Sequence, residues 1–243
     1  MINFFIKLSF VALKLINREN IMNKIILTFL FCLYASFLSA QQMYLTNING
    51  DPVLTKTYTE IIGSAFLSDN WIYGTVTTIN GKTYKNINLK YDLFKDEPYF
   101  KQKENDEGLY AFTEKIKTFT LVNLGVEETY LMGFPAVDNY TPDSYYQVLG
   151  KINENYFLKK TIKTISESRP YNSSTTEKTF IDLQVYYLFK DGKMIKFKPS
   201  KKEFLANFPA QSEKINAYLK TNDVDFKNGK DLGGLFSHIL GAN

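Results

Sequence analysis

Gly63–Phe100 reads GSAFLSDNWIYGTVTTINGKTYKNINLKYDLFKDEPYF and holds the chain's one tryptophan, Trp71, beside its clearest strand-turn-strand pattern. Tyr73, Thr75, Thr77 and Ile79 fall on one face of an extended chain, with Ile72, Val76 and Thr78 on the other. Aromatic and β-branched residues at that spacing suit a pleated surface. Asn80-Gly81 follows, a pair that tolerates positive φ at both central positions of a type I′ turn, so the chain is expected to reverse there. Beyond it Ile87, Leu89, Tyr91 and Leu93 alternate with Asn86, Asn88, Lys90 and Asp92, which predicts one buried face and one wet face.

The same pattern continues along the chain. Asn49-Gly50-Asp51-Pro52 marks a turn before a strand expected over residues 53–62, and short strands are expected within 109–112, 118–124, 129–133, 145–149 and 156–165. After a polar stretch, SESRPYNSSTTEK at Ser166–Lys178, a second hairpin is signalled. Its Ile181, Leu183, Val185, Tyr187 and Phe189 alternate, Asp191-Gly192 turns, and Ile195 and Phe197 return. The expected fold is mainly β, an antiparallel barrel or sandwich with a short C-terminal helical segment. Tyr91-Asp-Leu-Phe-Lys-Asp96 and Tyr186-Tyr-Leu-Phe-Lys-Asp191 nearly repeat, which common strand-end composition explains at least as well as duplication does.

The period changes after Pro199. Ser200-Lys201-Lys202-Glu203 fits a capping box, in which serine and glutamate side chains satisfy unpaired N–H groups at a helix start. Pro209 ends that helix, a second is expected from about Ser212 to Lys220, and Leu232, Leu235, Phe236, Ile239 and Leu240 lie on one face of a third. The organisation read from these signals is a targeting region over 1–40, a β body over 41–198 and a helical tail over 199–243.

Gly63-Ser-x-x-Leu67-x-x-x-Trp71, Gly74-x-Val76, the Asn-Gly turn and Leu89-x-Tyr91-Asp92 resemble a pattern in uncharacterised secreted proteins of Bacteroidetes bacteria. The run Phe204-Leu-Ala-Asn-Phe-Pro209, followed by Ile215-x-x-Tyr218-Leu219-Lys220, is similar to their tail, so the resemblance covers about a third of the chain. It implies an exported protein with a β-rich body and brings no catalytic residues.

Export is also signalled locally. Met22-Asn23-Lys24 precedes an apolar run from Ile25 to Leu38, and Leu38-Ser39-Ala40 before Gln41 offers a cleavage site, with Met22 the expected start. Neither this run nor the one at Phe4–Ile16 reaches the ~20 residues that cross a bilayer, so no spanning segment is expected after processing. Cys32, the one cysteine, lies inside the apolar run between Phe31 and Leu33, outside the small-residue context of a lipidation signal. The expected destination is therefore the periplasm or the exterior. Removing residues 1–40 leaves 25 basic against 24 acidic residues, which does not favour a nucleic-acid partner. Charge is uneven, with nine basic against fourteen acidic residues in 41–150 and twelve against five in 151–202.

Chemistry is sparse. No Gly-x-Ser-x-Gly elbow accompanies His238, the one histidine, so a Ser-His-Asp hydrolase has no framework. No metal or cofactor is expected: thiolate and polyhistidine sites lack their ligands. Asp223-Val-Asp225-Phe-Lys-Asn-Gly229 fails as a calcium loop, having Lys227, Asn228 and Gly234 where a ligand, glycine and glutamate belong. Asp92, Asp96 and Glu97 remain as candidate catalytic carboxylates, because a glycosidase needs two at a fixed separation. Tyr140, Tyr145, Tyr146 and Tyr171 are candidate binding residues if exposed, since flat aromatic faces stack on sugars or peptides. A membrane-spanning barrel is disfavoured by Lys159, Lys160 and Lys163 crowding one strand. The expected function is an exported, non-catalytic envelope or extracellular factor binding a partner protein or glycan; the alternative is a carboxylate-dependent hydrolase of cell-wall or polysaccharide material.

Overall fold

The two hairpins read from the sequence lie in one twelve-stranded sheet. The structure is a computed structural model that describes residues 50–52, 58, 60–103, 105, 108–169, 171 and 175–241. The targeting segment 1–40, most of the strand expected from Val53, and the Asn172-Ser173-Ser174 part of the polar stretch lie outside the described residues.

The strands are β1 (Gly50–Pro52), β2 (Ile61–Ile62), β3 (Ile72–Thr78), β4 (Thr83–Asp92), β5 (Glu97–Phe100) and β6 (Tyr110–Phe112). They continue as β7 (Ile116–Asn123), β8 (Val126–Leu131), β9 (Tyr146–Ile152), β10 (Asn155–Ser168), β11 (Glu177–Lys190) and β12 (Lys193–Phe197). Pairing runs β1-β6-β5-β4-β3-β7-β8-β9-β10-β11-β12, all antiparallel, while β2 pairs parallel with β11 at Lys178 and Thr179. The chain is mainly β and antiparallel with a short C-terminal helical segment, as the sequence leads one to expect, and its strands form a single sheet that does not close into a barrel. It curls, however. Lys163 on β10 donates its N–H to Leu93 O just past β4, and Leu67 N and Ala65 O bond to the end of β4, so the segment after β2 links β11's side to β4's.

Local chemistry sets each reversal. Asp191 and Gly192 both take positive φ, at +52° and +72°, between the paired Lys190 and Lys193, the two-residue turn that suits strand twist. The Asn80-Gly81 turn is wider than the type I′ expected. Gly81 N–H donates to Thr78 O and Thr78 N–H to Lys82 O, and only Gly81 enters the left-handed region, so Ile79-Asn80-Gly81 form a three-residue loop.

Packing follows the alternation. Val76, Ile87, Leu89, Phe119 and Leu121 fill the inside of the curl with Tyr91 and Tyr130. Gly74 is required there, since a Cβ would stand 2.2 Å from Thr120 O on β7. The β10–β11 ribbon is covered on both faces. One presents Leu158 and Tyr187 to Phe134 and Tyr146. The other presents Phe157 and Leu188 to the helical tail: α1 (Lys201–Asn207), a 3-10 turn (Pro209–Gln211), α2 (Ser212–Thr221) and α3 (Gly229–Gly241). Ser200 Oγ accepts from Glu203 N at the start of α1, but the Glu203 carboxylate takes an Asn207 Nδ2 hydrogen bond, so only half of the capping box forms. On α3, Leu232, Leu235, Phe236 and Ile239 are buried, each worth about 2 kcal/mol of gross hydrophobic stabilisation. Gly150 and Gly233 let α3 approach β9, where a Cβ at Gly233 would lie 2.4 Å from Leu149 O. Among the described residues no helix is long and apolar enough to cross a membrane.

Candidate functional site

The β4–β5 turn carries all three candidate carboxylates, and the fold sends them in different directions. Asp92 is 1% exposed despite its place on the expected wet face. Its Oδ1 accepts the backbone N–H groups of Phe94 and Lys95, both at 2.8 Å, and its Oδ2 accepts Tyr58 OH at 2.8 Å. An aspartate so engaged shapes its turn, as Asp does by capping nearby N–H groups. The alternation yields here because those N–H donors replace water.

Asp96 stands at φ +63°, a left-handed conformation that Asp tolerates better than most residues. Its Oδ1 accepts Tyr91 OH, and its Oδ2 accepts Lys160 Nζ at 2.5 Å and Tyr145 N at 3.3 Å. Lys160 is the residue that sequence reasoning missed. It is 1% exposed in the middle of β10, donates also to Tyr145 O at 2.8 Å, and lies over the rings of Tyr140 and Tyr146 at 5.4 and 5.6 Å. Burial lowers its pKa, and Asp96 opposes that by favouring the cation. The visible sign was its position: Lys160 alternates with Leu158 and Ile162 and so lies between two apolar residues on one face of the strand.

Glu97 points elsewhere and accepts Tyr99 OH at 2.6 Å. A cleft of about 400 Å³ opens beside it, bounded by Asp96, Glu97, Glu114, Lys115, Asp143 and Tyr145. Lys115 pairs with Asp143, and Lys82 lies 3.6 Å from Glu114 Oε1. Glu114 Oε2 is buried and has no hydrogen-bond partner among the described residues. Glu114 and Asp143 were not singled out from the sequence, because one lies between β6 and β7 and the other between β8 and β9, and only pairings across distant segments bring them to the cleft beside Glu97.

The four tyrosines separate. Tyr145 and Tyr146 are buried rather than exposed: Tyr145 OH donates to Ile116 O and closes the cleft's inner wall, while Tyr146 OH has no hydrogen-bond partner among the described residues. As chain neighbours they point to opposite sides, Tyr145 into the cluster inside the curl and Tyr146 towards Leu158 and Tyr187. Tyr140 is half-buried and forms mutually near-perpendicular ring pairs with Tyr146 and Tyr187. Tyr187 OH donates to Asp138, and that bond, with one from Lys196, lowers the Asp138 pKa. Tyr171 is 96% exposed and lies in the loop between β10 and β11. His238 packs against the Tyr218 ring, centroids 4.7 Å apart. In the failed calcium loop Asp225 Oδ1 caps Lys227 N and Asp231 Oδ2 accepts Asp225 N, as in a solvated turn.

Chemically, Asp92 and Asp96 are committed to internal partners. What the cleft offers a ligand is Glu97 and Glu114, a Lys115–Asp143 ion pair at the rim, and a tyrosine wall. Comparison with protein-family models, with curated proteins and with solved structures finds no match to this chain, so the geometry carries the functional reading.

Proposed function

We propose that the chain is an exported, non-catalytic envelope or extracellular factor that binds a partner protein or a glycan through the cleft beside the β4–β5 turn. The observation that carries the reading is the internal commitment of Asp92 and Asp96: two of the three candidate catalytic carboxylates are spent on turn N–H groups, tyrosine hydroxyls and Lys160. What remains around the cleft is suited to recognition, with carboxylate acceptors, an ion pair and aromatic surface able to meet hydroxyl-rich or peptide ligands. Export rests on the Met22–Ala40 segment. The test is retention of the processed chain on immobilised envelope polysaccharide and envelope proteins, with Glu97→Gln/Glu114→Gln as the comparison. Retention that the double variant weakens without any product release supports binding.

A second reading is favoured by one arrangement, Glu97 and Glu114 on the same cleft. Two carboxylates across a sugar are the minimum for glycoside hydrolysis. It predicts product release from polysaccharide that either single Glu→Gln variant abolishes, and a processed protein that binds but releases nothing would exclude it.

A further inference from the structure

A different part of the sheet presents a feature that the cleft does not explain. β11 is fourteen residues long, and on the side away from β10 it is only partly paired. β2 covers Lys178 and Thr179, and β12 covers Tyr186–Lys190. Between them, no strand among the described residues pairs with Phe180–Val185 on that side, although β10 pairs with this stretch on the other. Six residues of strand edge span about 20 Å.

The register says which groups face the opening. In a two-residue hairpin the flanking residues, here Lys190 and Lys193, exchange both backbone bonds, and every second residue back along the strand points its N–H and C=O to the same side. Leu188 and Tyr186 thus face β12, and Gln184 and Asp182 direct theirs into the gap. Ile181 and Leu183, on one face of the same stretch, are 42% and 45% exposed. Open edges with apolar side chains are ordinarily blunted or covered. Here both ends are covered and the middle is not.

The gap runs into a pocket of about 690 Å³ in line with β12, where Gln184 and Val185 meet Lys198, Phe226 and Lys227. Lys196, also at this pocket, is held by Asp138 at 3.0 Å, and Glu203 takes a hydrogen bond from Asn207. Among the described residues Lys198 and Lys227 are in no ion pair, so the pocket end of the gap is basic.

We propose that the open edge of β11 between β2 and β12 receives an extended segment of a partner protein as an added strand, its acidic end seated against Lys198 and Lys227. Gln184 and Asp182 supply main-chain bonds, Ile181 and Leu183 contact alternate side chains of the segment, and the lysines fix its direction. This is a site apart from the cleft and does not rest on the reading of it.

The probe is a dye-labelled peptide of about ten residues alternating valine and threonine and ending in aspartates, since recognition through the main chain tolerates sequence. Fluorescence anisotropy with the processed chain should rise saturably. Lys198→Glu/Lys227→Glu, both surface changes checked by circular dichroism, should weaken binding about tenfold or more, and prolines at alternate peptide positions should abolish it. In the complex the amides of Asp182 and Gln184 should exchange more slowly. The proposal is overturned by absence of saturable binding below about 1 mM, by binding that survives the prolines or the charge reversal, or by protection that falls elsewhere. Capture of an anionic glycan at these lysines without capture of the peptide overturns it equally. None of these results touches the Glu97 and Glu114 variants, so the cleft reading stands or falls separately.

Discussion

Alkaline pH should unfold this protein cooperatively, because its core is built on tyrosine hydroxyls. Tyr91, Tyr130 and Tyr145 pack together in the curl, with Tyr91 5.1 Å from Tyr130 and 6.3 Å from Tyr145 between ring centroids. Burial raises all three pKa values above the ordinary 10.0, and nearby carboxylates add to it: Asp96 at Tyr91 and Tyr145, Glu128 at Tyr130. Above pH 10 the unfolded chain releases these protons while the native state keeps them, so the stability they contribute is complete below 10 and lost as pH climbs. Each costs about 1.4 kcal/mol per pH unit, and three cost about 4. Lys90, Lys159 and Lys160 act with the opposite sign, since burial lowers each pKa and lets the native state shed a proton first, but that gain stops growing above the ordinary lysine value of 10.5, where the unfolded lysines are neutral too. Set against a typical stability of ~5–15 kcal/mol, this places the unfolding midpoint at about pH 11 at the low end of that range and above about pH 13 at the high end.

The assay is tyrosinate absorbance followed beside far-ultraviolet circular dichroism. Absorbance from tyrosines that already reach water should rise first with the dichroism unchanged, and a second, steep absorbance step should coincide with the loss of the dichroism. Tyr91→Phe should cost about 1–3 kcal/mol at neutral pH, from the lost bond to Asp96. It should also reduce the pH dependence contributed by these three residues by about a third. Titration of every tyrosine near pH 10 with the fold intact would refute the reasoning, since it would mean that these hydroxyls reach water without unfolding.

Lys160→Met leaves Asp96 without its cation and should cost about 3–5 kcal/mol by urea denaturation, moderated by the 23% exposure of the Asp96 side chain. Adding Asp96→Asn should recover much of that loss, and a double-mutant cycle with no coupling would show that the pair is not an energetic unit. Gly233→Ala forces α3 away from Leu149 O and should cost about 1–3 kcal/mol, with the tail becoming the first segment to lose amide protection. Leu124→Asn should gain up to about 1 kcal/mol in thermal denaturation, because Leu124 is 97% exposed at φ +49° in the β7–β8 turn and Asn suits that conformation better.

Local chemistry made much of the sheet readable. The alternations at Ile87–Leu93 and Ile181–Phe189 mark β4 and β11, and the near-repeated hexapeptides share a feature, since Asp96 and Asp191 both take positive φ in the turn between two paired strands. Ile181 and Leu183 show where alternation misleads, for they are apolar and yet exposed where no strand covers the edge. The width of the Asn80-Gly81 turn was hidden because Asn-Gly tolerates both turn types, and only the bond from Thr78 to Lys82 distinguishes them. The candidate site was half legible. Asp96, Glu97 and Tyr145 do reach one cleft, but Glu114, Asp143 and Lys160 join them through strand pairings set by distant segments.

Why a lysine should lie buried at the centre of β10 follows from what it selects. Desolvating the cation costs more than a leucine at the same place would, so its contribution is better sought in specificity than in stability. β10 is fourteen residues long, and the β4–β5 turn has several positions along it against which it could settle. Only at residue 160 does it find a donor for Asp96, and a one-residue slip would swing that donor to the face packed by α3. The Lys160–Asp96 bond thus ties β10 to the β4–β5 turn, and Tyr145, bonded to both residues, joins that tie to the cleft wall. A Lys160→Met/Asp96→Asn chain should therefore fold with near-normal stability yet hold the cleft less firmly, weakening ligand retention there while leaving the β11 edge unaffected.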